Sequence, residues 1–156
     1  GTTVHFVTHS MGGIVVRAYL KEHPLPNLGR VVMLTPPSQG TELADRLQGH
    51  PFLKALCGPA GLQMTTAADG FPRSLGPVDY ELGVIAGDRS INPFFSQLIP
   101  GPDDGVIAVE RTRVEGMTAF LVLPYSHTFI MNRSDVLSEV IHFLRKGKFT
   151  SEGPRE

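Results

Sequence analysis

The sequence predicts an α/β fold of about four mostly parallel strands flanked by helices, interrupted by an irregular, cap-like insertion. Three observations carry this expectation. Short β-branched and aromatic runs alternate along the chain with longer segments whose apolar residues recur at helical spacing. Residues 49–77 break that alternation, with Gly or Pro at nine of 29 positions. The chain has 156 residues, 41% hydrophobic and 19% charged, which suits one globular domain with a real core and argues against disorder.

Val4-His5-Phe6-Val7 is too short for a helix and reads as the first strand. Met11 to Glu22 follows as a helix, with Ile14, Val15, Ala18 and Tyr19 as its apolar stripe. His23-Pro24 ends it, because a residue before proline is pushed out of the α region. Arg30 to Leu34 is the second strand, stopped by Pro36-Pro37, and Leu43, Ala44 and Leu47 suggest a short helix. In the insertion, Phe52, Leu53, Leu56, Leu62, Met64 and Phe71 are too apolar for a solvated linker and point to a folded excursion. Lining a pocket is one role open to them; covering the sheet is the commoner one. Tyr80 to Ala86 and Thr118 to Leu123 are the third and fourth strands. Ser134 is the expected N-cap of the last helix, whose stripe is Val136, Leu137, Val140, Ile141 and Leu144, and Gly147 closes it. The domain is expected to span 1–149, with 150–156 a frayed tail.

Several function classes drop out. Fourteen Lys+Arg against fifteen Asp+Glu leave a net charge of −1, so no strong field recruits nucleic acid or an anionic membrane. No apolar run approaches the roughly 20 residues of a membrane span. Cys57 is the lone cysteine, which excludes an internal disulfide and a Cys-based metal cage and leaves the compartment open. No phosphate-cradling glycine motif follows a strand, so no nucleotide cofactor is expected. His5 and His9 share a strand face at i, i+4, but no third ligand lies near them in sequence, and no metal is expected.

Thr8-His9-Ser10-Met11-Gly12-Gly13 lies where the first strand meets the first helix. A serine on so tight a turn projects its Oγ above the sheet, with a helix N-terminus beneath it. The turn crowds the positions two before and two after the serine, and Gly12 supplies a small residue at one of them. This string resembles the nucleophile elbow of α/β-hydrolases, G-x-S-x-G, departing from it at Thr8. The bland alternative is that Ser10 merely caps the helix.

A serine hydroxyl is a weak nucleophile until a base takes its proton, and that base needs a partner to fix its tautomer. The resemblance implies the chain order serine, acid, histidine. Of His5, His9, His23, His50, His127 and His142, only His127 falls just after the final strand, at the sheet edge where catalytic groups of such folds gather. For the acid, Asp103-Asp104-Gly105-Val106 looks like the acid loop of lipase-like hydrolases, which maps the role onto Asp104. Asp88, in Gly87-Asp88-Arg89-Ser90, and Asp103 stay open as rivals.

Thr8 to Arg17, Val84 to Pro93, Asp104 to Val109 and Ser126 to Met131 together resemble bacterial α/β-hydrolases of the lipase, esterase and GPI inositol-deacylase-like group. The resemblance implies hydrolysis of a small-molecule ester or lipid through an acyl-serine: Ser10 attacks, His127 shuttles the proton, Asp104 orients His127, and Met11 N–H is one oxyanion donor. It also implies that the second donor lies on a loop upstream of the elbow strand, where this chain begins. A βα unit needs roughly 30 residues, so at least about 60 are expected upstream, and the chain reads as a carboxyl half with weak activity alone. Acyl transfer to another acceptor, or a non-catalytic fragment, are the rival functions. An acceptor screen separates the first and serine-directed labelling the second.

Overall fold

The computed structural model of the chain describes residues 1–46 and 58–150. Four strands, β1 (Val4–His9), β2 (Leu28–Leu34), β3 (Leu82–Gly87) and β4 (Ala119–Leu123), form one sheet in the order β1-β2-β3-β4. Every neighbouring pair is parallel. Parallel neighbours need crossover connections, and helices supply them. Helices described in full are α1 (Met11–Glu22), α2 (Glu42–Arg46), α3 (Phe71–Ser74), α4 (Pro93–Ser96) and α5 (Ser134–Lys146), and residues 58–61 are helical as well. The first strand runs two residues further than its apolar run suggests, and the third is shifted towards Gly87.

β2 and β3 are buried on both faces, and their side chains divide between two cores. Val32, Leu34, Ile85 and Leu121 face Val136, Val140 and Phe143 of α5. Val31, Met33, Leu82 and Val84 pack with Leu20 of α1 on the other side. Alternate residues of one strand therefore hold down helices on opposite faces, as a pleat of period two requires. Gly83 allows α5 its close approach: a Cβ there would sit 2.8 Å from Phe149 and 2.9 Å from Phe143.

Three local readings need correction. On α5 the buried side is Val136, Glu139, Val140 and Phe143, while Leu137 and Ile141 of the expected stripe face outward, because the sheet takes Val136, Val140 and Phe143 into its core. The buried side of α1 is Gly13, Ile14, Arg17 and Leu20, while Val15 and Tyr19 face outward, 60% and 47% exposed. Close packing at Gly13 and the hydrogen bonds of Arg17 to Ser38 O and Gly76 O choose the face, overriding the apolar stripe. Ser134 is the first residue of α5 rather than its cap; Arg133 takes that place, with no side-chain capping bond. Gly147 does close the helix, in the left-handed conformation expected of it.

Of the insertion, Phe52, Leu53 and Leu56 lie outside the described residues. The following stretch is tied to the segment around α2: Met64 is buried, its carbonyl accepts from Thr41 N, and the Thr66 amide and hydroxyl both donate to Asp45. Phe71 is exposed.

At the sheet margin, β1 pairs only with β2 among the described residues, and Val7 is 49% exposed beside it. An open, apolar edge strand is a template for pairing with other chains. Val7→Lys is expected to raise the concentration at which the protein scatters light, with an unchanged circular dichroism spectrum.

Candidate active site

Every predicted site residue lies beyond the carboxyl end of a strand. Ser10 follows β1 directly and is the turn between that strand and α1. Its backbone adopts φ 56°, ψ −131°, a conformation L-residues avoid, and its amide is held by Leu34 O at 2.9 Å. The Ser10 side chain makes no capping bond to α1, which removes the reading of this residue as a mere cap. Met11 opens α1, so its N–H belongs to the first turn, where a helix provides no acceptor.

The crowding at this turn differs in detail from the sequence expectation. A Cβ on Gly12 would meet Thr8 Cβ at 3.5 Å, ordinary contact, so the bulkier Thr8 is accommodated. The tight position is Gly13, whose added Cβ would sit 3.0 Å from Met33 Sδ and 3.1 Å from Pro36 Cβ.

His127 lies in the loop after β4 and is almost wholly buried. Its Nε2 is 2.9 Å from Ser10 Oγ, and its Nδ1 is 2.8 Å from Asp104 Oδ2. A carboxylate only accepts, so Nδ1 carries the proton and Nε2 is left to accept from the Ser10 hydroxyl. Asp104 is itself buried. Its Oδ1 accepts from the amides of Val106 and Ile107 at 3.0 and 2.8 Å, leaving Oδ2 aimed at the imidazole.

The rival acids are placed elsewhere. Asp103 accepts from Ser96 Oγ and Gly105 N, bracing the loop on which Asp104 sits. Asp88 follows β3 and pairs with Arg89 at 3.7 Å. Neither takes the place of Asp104 against His127. The two histidines of the first strand do not converge on a common point: His5 Nδ1 accepts from Arg30 N, while His9 Nε2 lies 2.8 Å from His127 O. Burial holds the His9 imidazole below its ordinary pKa, against the opposing pull of that carbonyl.

Two contributors were missed from sequence. The sequence offers His9 as a candidate base and as a metal ligand, and nothing local signals its contact with a loop over a hundred residues away. Gly87 enters the sequence reading only as the neighbour of Asp88 in Gly87-Asp88-Arg89-Ser90 and within the stretch Val84 to Pro93. A Cβ on Gly87 would fall 2.3 Å from Tyr125 O and 3.1 Å from Asp104 Cβ. Gly87 therefore gives both the acid and the histidine loop room to meet above β3. Gly87→Ala must displace backbone two residues before His127. It is expected to cost about 1–3 kcal/mol in thermal unfolding.

Solved structures share this architecture. The mature form of Bacillus licheniformis lipase BlEst2 superposes with a TM-score of 0.70 at 18% identity, over 92% of this chain and 66% of that one. Its propeptide form gives 0.71 at 19% identity, over 100% and 38%. Phospholipase PlaB from Legionella pneumophila gives 0.70 at 18% identity, over 93% and 44%. The chain has a partial α/β-hydrolase fold. It spans between 38% and 66% of the lengths of these neighbours, and at such identities the likeness is one of fold. No protein-family model matches the chain, and no curated protein matches it either.

Within that fold the Ser10–His127–Asp104 arrangement occupies the rim formed by the ends of β1 and β4 and the loop after β3. It is a chain of hydrogen bonds from a strained, half-buried hydroxyl to a buried carboxylate.

Proposed function

We propose that this chain carries the nucleophile, base and acid of a serine hydrolase acting on carboxylic esters, lipid esters among them. The observation that supports the reading best is the unbroken relay Ser10 Oγ–His127 Nε2 and His127 Nδ1–Asp104 Oδ2, at 2.9 and 2.8 Å, on a serine held at φ 56°. That structural neighbours are a lipase and a phospholipase favours an ester substrate. The motif resemblance to GPI inositol-deacylase-like hydrolases extends the substrate class towards lipid esters.

In this reading Ser10 Oγ attacks the ester carbonyl carbon as its proton passes to His127 Nε2. The carbonyl oxygen takes the negative charge, and Met11 N–H, at the positive end of α1, is one donor to it. Asp104 keeps the Nδ1 proton and stabilises the imidazolium. His127 then returns its proton to the departing alcohol, leaving an acyl-serine. Water, deprotonated by the same Nε2, frees the acid and restores Ser10. Acid conditions oppose the cycle, because an imidazole already protonated cannot accept from the hydroxyl.

The decisive experiment is labelling with a fluorophosphonate, in which Ser10 Oγ displaces fluoride, followed by mass mapping of the adduct. The expected result is one adduct, on Ser10. An unlabelled chain, or an adduct on another serine, would sink the proposal.

A further inference from the structure

We propose that His9 is a positioning residue for His127, gripping the backbone of the general base through an Nε2–H···O=C hydrogen bond. This rests on the reading of His127 as the base.

The bond measures 2.8 Å and joins residues 118 positions apart in the chain. The two rings also lie against each other, with centroids 4.8 Å apart and planes tilted by 47°. A carbonyl can only accept, so His9 carries its proton on Nε2. His127 is thereby held at both of its peptide groups. Its N–H donates to Asp104 O at 3.0 Å, from the loop carrying the acid. Its C=O is held by His9, the residue immediately before the nucleophile on the same strand. The strand that presents Ser10 thus also sets the height of the loop that presents His127. The Oγ–Nε2 separation is determined within a few bonds of both groups, and small losses of such alignment are costly in rate.

Charge argues the same way. The groups facing the His9 ring include His127 and, beyond it, Asp104. A desolvated His9 stays neutral and adds no repulsion to the imidazolium that forms on His127 in the transition state.

Two substitutions test the assignment. His9→Phe keeps the ring volume and deletes the donor, whereas His9→Gln places an amide N–H at similar reach. Turnover of p-nitrophenyl butyrate is measured per active site titrated by a fluorophosphonate, which discounts misfolded protein. His9→Phe is expected to lower kcat about 10- to 100-fold with KM changed less than about twofold. His9→Gln should recover most of the loss. In wild-type protein at pH 7, ¹⁵N NMR should show the His9 ring neutral and protonated on Nε2, whether or not an ester is turned over. Wild-type kcat in His9→Phe, equal losses in Phe and Gln, or an Nδ1-protonated His9 would each overturn the inference. Ser10→Ala, which has no site to titrate and is assayed per mole of protein that unfolds cooperatively, tells the two failures apart. If it is inert while His9→Phe is fully active, the positioning role alone falls; if it keeps its turnover, the serine-hydrolase reading falls.

Discussion

On the proposed function, Ser10→Ala is expected to prevent fluorophosphonate labelling and to lower turnover of an ester by about 10⁶-fold, as in triads stripped of their nucleophile. The substitution removes one oxygen from a half-buried position and leaves packing almost untouched. The Ser10 amide bond to Leu34 O and the burial of α1 through Ile14 and Leu20 do not involve the hydroxyl. Thermal unfolding should therefore stay close to wild type. Alanine tolerates φ 56° no better than serine, so the strain of the turn is unchanged. A residual rate about 10³–10⁴ above water is still expected from binding and from the oxyanion donor. Turnover at the wild-type level in Ser10→Ala would remove the serine from the chemistry altogether.

Asp104→Asn is expected to cost about 10⁴-fold in kcat through the tautomer of His127. The amide oxygen can keep the two bonds from Val106 N and Ile107 N, so the acid loop holds its shape. The amide nitrogen then faces His127 Nδ1 and donates to it. The imidazole proton is driven to Nε2, where it confronts the Ser10 hydroxyl instead of accepting from it. Asp88→Asn changes a group paired with Arg89 and should leave kcat within a few-fold of wild type. Asp103→Asn can keep the bonds from Ser96 and Gly105 on its amide oxygen and should leave kcat within a few-fold of wild type. Comparing kcat and Tm across the three variants checks the ranking. A crippled Asp88→Asn beside an active Asp104→Asn would overturn it.

The four strands, their parallel arrangement and α1 with its ends at Met11 and Glu22 are legible in sequence because they rest on local rules. Runs such as Val31-Val32-Met33-Leu34 suit only a strand buried on both faces, and His23-Pro24 stops a helix wherever it occurs. The candidate site was legible for a related reason. A serine between a strand and a helix, and a histidine just after the last strand, are brought to one edge of the sheet by the topology itself.

Other features depend on contacts between distant parts of the chain. Which face of α1 is buried follows from Gly13 closing on Met33 and Pro36 and from Arg17 finding the carbonyls of Ser38 and Gly76. An apolar stripe proposes a face, but close packing and buried hydrogen bonds outweigh it. The choice of Asp104 over Asp88 and Asp103 against His127 is likewise geometric: three neighbouring carboxylates are alike in composition, and only the loop after β3 aims one of them. The space that Gly87 leaves and the grip of His9 on His127 have no local signature at all. Hydrophobic period and backbone preference act over a few residues and can be read along the chain. Hydrogen-bond direction and close approach are set by where distant segments meet, and those exist only once the sheet has formed.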